Sequence, residues 1–82
     1  MLLSVEYQAD REELDIICDR AGIDLLVSKL SVLKHNGGHT HLRTPSWAGE
    51  ELTEERYTES GVLINHVRIV LMSEKADLQS SS

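Results

Sequence analysis

Phenylalanine is absent from this 82-residue chain, and cysteine, proline and tryptophan each occur once. With Cys18 alone, no disulfide can form within the chain, and a lone thiol suits a reducing compartment, so a cytoplasmic protein is expected. Basic residues are scarce: eight Lys and Arg stand against fourteen Asp and Glu, for a formal net charge of −6. That balance argues against direct binding of DNA or RNA, which draws on a basic patch. It allows a basic protein partner, and it serves solubility equally well. No window holds the ~20 apolar residues of a membrane span. The opening MLLSVEYQAD has no basic stretch before its apolar residues and does not read as a signal peptide.

A chain of this length makes one domain, expected over residues 1–73, and hides only about 60% of its unfolded surface. The polar, repetitive end, residues 74–82, reads as a disordered tail.

Alternation of Leu3, Val5 and Tyr7 with Ser4 and Glu6 marks a first strand over residues 2–8. Asp10 lies three before Glu13, the spacing of a capping box, and Leu14, Ile17, Cys18 and Ala21 follow at helical intervals. Cys18 in that stripe reads as a small buried hydrophobe. Beyond Gly22 the stripe resumes as Ile23, Leu26, Val27, Leu30 and Leu33, which predicts a kink at the glycine or two shorter helices. Lys34 and His35 suit a helix C-terminus, and Asn36, Gly37 and Gly38 suit left-handed backbone after it. A short strand, His39 to Arg43, stops at Thr44-Pro45. A long connection over residues 44–60 leads to a third strand over 62–72, apolar on both sides and so expected at the centre of the sheet.

The expected fold is therefore α+β: a small antiparallel three-stranded sheet in the order β-α-β-β, with one kinked helix or two short helices packed on one face. One helical layer covers one side of a sheet. The other side is expected to display Ser4, Glu6, His39, His41, Arg43, His66 and Arg68, with aliphatic surface from Val62, Ile64, Val70 and Met72. Such a mixed face suits an interaction site or a homodimer contact.

The unusual stretch is HTHLRTPSWAGEEL, His39 to Leu52. His39 and His41 point to one face of a strand, and His66 is placed to join them as a weak metal-ligand set with Glu6 or Glu50. The spacing lacks the CxxC or HExxH context of specific zinc motifs, and polar surface histidines account for it as well. Catalysis is not expected. Ser46 near His41 has no glycine-framed nucleophile turn, Glu50 and Glu51 are adjacent rather than facing, and Gly37-Gly38 follows a helix instead of preceding one. As a protein-facing surface the stretch has more to offer, because Trp and Arg dominate interface energetics and Pro45 restrains the loop that carries Trp47. Trp47 plugging the end of the domain's own core is the competing reading.

Two segments resemble the immunity protein 32 family of bacterial polymorphic toxin systems. One is His41-Leu42-Arg43-Thr44-Pro45-Ser46-Trp47-Ala48-Gly49-Glu50-Glu51-Leu52, and the other is Leu63-Ile64-Asn65-His66-Val67-Arg68-Ile69. Size and the expected β-α-β-β layout resemble that family too. Arg43 stands where a methionine is expected, Ala48 where a glycine is common, and Asn65 where a histidine often precedes His66. If position 48 needs a positive φ, alanine is strained there. The resemblance implies a non-catalytic cytoplasmic protein that binds a cognate toxin and blocks it by stoichiometric occlusion, with no cofactor, nucleic acid or membrane. Its contact surface would comprise His41, Arg43, Trp47, Glu50, Glu51, His66 and Arg68. Two alternatives stand beside it: a small domain binding a metal through His39, His41 and His66, and a dimerisation module.

Overall fold

The computed structural model describes residues 1–72, so the expected tail at 74–82 lies outside the described residues. The chain is α+β. It runs β1 (Leu3–Gln8), β2 (Glu13–Cys18), α1 (Arg20–Asn36), β3 (His39–Arg43), a 3₁₀ turn at Pro45–Trp47, β4 (Val62–Leu63) and β5 (His66–Val70). Three strands form one antiparallel sheet in the order β2-β1-β4, and β3 pairs antiparallel with β5 in a second. No helix among the described residues is long and apolar enough to cross a membrane.

The β-α-β-β order is corrected at its start. Residues 13–18 are not the first half of a helix but the return strand of a hairpin, with Leu3 opposite Cys18 and Gln8 opposite Glu13. Residues 9–12 turn the chain, closed by the Arg11 N–H on the Gln8 carbonyl at 3.2 Å and by a positive φ of 51° at Glu12. Six residues rich in Leu and Ile satisfy a helical and an alternating pattern about equally, and pairing to β1 decides for the strand. The helix begins later, capped by Asp19, whose Oδ1 accepts the Gly22 N–H at 2.8 Å. Gly22 is thus neither kink nor break. It sits in the first turn, where a methyl group would run into the Leu2 carbonyl. At the other end Lys34 and His35 occupy the last turn, and Gly37 and Gly38 take φ of 74° and 84°.

The third expected strand is also corrected. It is not a single central strand, because Ile64 and Asn65 carry the chain out of the first sheet and into the second. Ile64 still donates to the Val5 carbonyl at 2.8 Å, whereas Asn65 already accepts the Thr44 N–H at 3.0 Å. Apolar residues on both sides of this run reflect service in two sheets.

The core lies between the two sheets and α1. Leu3, Val5, Leu42 and Leu52 are buried, and Cys18, Leu25, Leu26, Ile64, Val67 and Ile69 pack on them. The far face of β1 is buried as well, against the expectation that Ser4 and Glu6 stand open. Thr53 bonds to both main-chain groups of Leu3, and residues 55–61 follow over Ser4, Glu6 and Gln8. Glu6 is 0% exposed and accepts hydrogen bonds from the Tyr57 N–H (2.7 Å), the Thr58 N–H (3.2 Å) and the Thr58 hydroxyl (2.5 Å).

Candidate recognition face

Alternation along β3 and β5 sends Leu42, Val67 and Ile69 toward the core and leaves the intervening residues on the opposite side. Register sets His39 opposite Val70, His41 opposite Arg68 and Arg43 opposite His66. His41 and His66 are therefore diagonal neighbours, within ring contact across an antiparallel pair. Their centroids are 4.8 Å apart and His41 Nδ1 lies 2.7 Å from His66 Nε2, a hydrogen bond in which one ring donates and the other accepts. His39 meets His41 edge-on at 4.9 Å.

Trp47 completes the row, its ring 6.0 Å from that of His66. The loop holding it is built on Thr44, which is 0% exposed, donates through its hydroxyl to Asn65 Oδ1 at 2.8 Å and accepts from the N–H groups of Trp47 and Gly49. Pro45 starts the 3₁₀ turn, and Glu54 Oε1 accepts the Ser46 N–H at 2.6 Å. Ala48 then takes φ 62°, ψ 31°, the left-handed conformation anticipated for a glycine position. Gly49 lies so close to Arg43 that a methyl there would strike the Arg43 backbone. So anchored, Trp47 stays 54% exposed. The indole does not plug the core; Leu52 does, at 2%.

Five of the seven anticipated contact residues thus share one surface: His41, Arg43, His66, Arg68 and Trp47. Glu51 does not. Its Oε1 accepts the Arg43 N–H at 3.1 Å and its other oxygen lies 4.0 Å from Lys29 Nζ, so it ties the loop to β3 and α1. Burial opposes its ionisation, but these hydrogen bonds and Lys29 prevail and hold its carboxyl below the ordinary value. Glu50 is exposed on the same loop. Positions that hold the indole in place, Thr44, Glu54 and Asn65, carried no signal beyond the Thr-Pro pair, since their partners are distant in sequence.

Electrostatically the face is one-sided. Burial, followed by Arg43, His66, His39 and Arg68, pushes the His41 imidazole below its ordinary pKa, so its neutral form is favoured. A neutral His41 suits the imidazole–imidazole hydrogen bond. The same bond is poor geometry for chelation, because two nitrogens on one tetrahedral zinc lie about 3.3 Å apart at Zn–N ≈ 2.0–2.1 Å. No group of three or more His, Cys, Asp or Glu among the described residues is arranged to hold a metal ion. A groove of about 280 Å³ lies between α1 and the start of β3, and its lining (Ser28, Lys29, Val32, Leu33, Asn36, Gly37, His39, Thr40) pairs no nucleophile with a base.

Comparison with protein-family models, curated proteins and solved structures finds no match.

Proposed function

We propose that this chain is a non-catalytic, cytoplasmic recognition protein of the immunity type, which binds a toxin one to one and neutralises it by covering its working surface. The exposed Trp47 beside His66, on a face shared with His41, Arg43 and Arg68, carries the reading. A large stiff ring held out of its own core by a braced loop matches the residues that concentrate binding energy in protein interfaces. The motifs from His41 to Leu52 and from Leu63 to Ile69 supply the immunity part. In this reading Glu51 and Glu54 position the loop rather than touch the partner, and Glu50 lies at the rim.

The test is co-expression with the product of the neighbouring gene. A stable one-to-one complex and rescue of growth in cells making that product are expected; neither capture nor protection would refute the proposal.

A second reading rests on a different surface. Tyr7 lies opposite both Leu14 and Val62, and Ile16 lies opposite Val5, so Tyr7, Leu14, Ile16 and Val62 share one face of the β2-β1-β4 sheet. All four are exposed. Such a face suits self-association. Light scattering showing concentration-dependent dimers would support it, and monomers at every concentration would exclude it.

A further inference from the structure

Charge in this protein is sorted in space. The chain is acidic overall, yet the charges that weigh most on His41 come from Arg43, His66, His39 and Arg68. Among the described residues neither Arg43 nor Arg68 forms an ion pair. Two nearby acids are engaged elsewhere, Glu51 with the Arg43 N–H and Lys29, and Glu54 with the Ser46 N–H, while Glu50 stands exposed at the rim. Two guanidinium groups, three imidazoles and one indole are left on a strip two strands wide and five residues long.

We infer that this face, taken as the recognition surface proposed above, receives an acidic polypeptide segment whose carboxylates meet Arg43 and Arg68 and whose remaining side chains lie across Trp47 and the imidazoles. A guanidinium presents a planar fork of donors that fits a carboxylate in two-point contact. The indole and rings add apolar area, which plain ion pairing at a surface lacks. A strand of five residues is about 17 Å long, room for an extended segment of similar length. A phosphodiester backbone fits less well. It carries about one charge per 1.7 Å of duplex and calls for a long basic track, whereas this strip offers two guanidinium groups on strands of five residues.

Trp47 is the only tryptophan, so its emission reports on this face directly. The experiment titrates the full chain with a polyglutamate peptide, with polylysine and oligothymidylate of equal length in parallel, at about 0.02 M and about 0.5 M salt. With polyglutamate a saturable emission change is expected at low salt, at least tenfold weaker at high salt. It should weaken at least tenfold again in Arg68→Glu, where the replaced side chain is exposed, and further when Arg43→Glu is added, with circular dichroism confirming that the variants fold. No response to polyglutamate, an equal response to polylysine, tighter binding of oligothymidylate, or wild-type affinity in folded Arg68→Glu would each overturn the inference. A toxin captured equally by wild type and by the charge-reversed variants would overturn it while leaving the immunity reading intact. Polyglutamate binding without capture of any toxin would uphold it and remove that reading.

Discussion

Glu6 shows what a single residue does in this fold. Its buried carboxylate would ordinarily resist ionisation, and burial alone raises its pKa. Hydrogen bonds from the Thr58 hydroxyl, the Tyr57 N–H and the Thr58 N–H, with the charge of Arg56, outweigh that and hold it below the ordinary value of 4.5. A depressed folded pKa contributes stability that is present above the unfolded value and lost as pH falls through the folded one. Urea denaturation from neutral pH downward should therefore show stability falling below about pH 4.5, and Glu6→Gln should flatten that fall. The variant should also lose about 1–3 kcal/mol at neutral pH, since its amide turns a donor toward donors. Alternation correctly separated Ser4 and Glu6 from Leu3 and Val5, but it says nothing about which face a distant loop will cover. Ala48 offers a simpler check. Its φ of 62° costs an L-residue about 1 kcal/mol relative to glycine, so Ala48→Gly should raise the thermal midpoint. A lowered midpoint would argue against left-handed backbone there. For His41 the sign is the same as for Glu6, in a higher pH window: a lowered imidazole pKa means stability is lost as pH drops below the ordinary 6.5, where the unfolded chain takes up the proton first.

Elements divide into those with local signatures and those without. The C-terminus of α1, strand β3 and its stop at Thr44-Pro45 were legible because Lys34, His35, Gly37, Gly38 and Pro45 act through their own backbones or charges. Strand β2 was not. Asp10 and Glu13 have capping-box spacing, yet the residue that caps a helix is Asp19, and Leu14, Ile16 and Ile17 choose the extended state only because β1 lies beside them. The passage from β4 to β5 was hidden for the same reason, since it depends on Val5 and Thr44, each more than 20 residues away in the chain. Gly22 tests the revised helix start. Alanine favours a helix interior by roughly 1 kcal/mol over glycine, so an isolated helix would gain from Gly22→Ala. Here the added methyl meets the Leu2 carbonyl, and the expected result is a loss of about 1–3 kcal/mol in chemical denaturation. A stabilised variant would mean that α1 does not pack against the start of β1 in this way.

At the scale of the whole molecule, a short chain has divided its surface into parts of different chemistry. Few hydrophobic side chains are fully buried, and Ile23, Val27 and Leu30 along α1 remain exposed, as does the Tyr7–Leu14–Ile16–Val62 face. A domain this small has little interior to offer them. The β3-β5 sheet turns its imidazole and guanidinium groups the other way, with the Trp47 indole of the following 3₁₀ turn beside His66. The sharing of one side by His39, His41, Arg43, His66 and Arg68 was legible in sequence because it rests on strand alternation, whereas the exposure of Trp47 on its 3₁₀ turn and the inward turn of Glu51 toward Arg43 and Lys29 needed the fold of the loop. The most direct measurement is calorimetric titration of the neighbouring gene's product with wild type and with Trp47→Ala. Loss of an interface anchor worth 2 kcal/mol or more corresponds to affinity weakened by about 30-fold or more, with an unchanged thermal midpoint because the indole lies outside the core. Equal affinity in a folded Trp47→Ala would place the partner elsewhere on the molecule and end the case for this face.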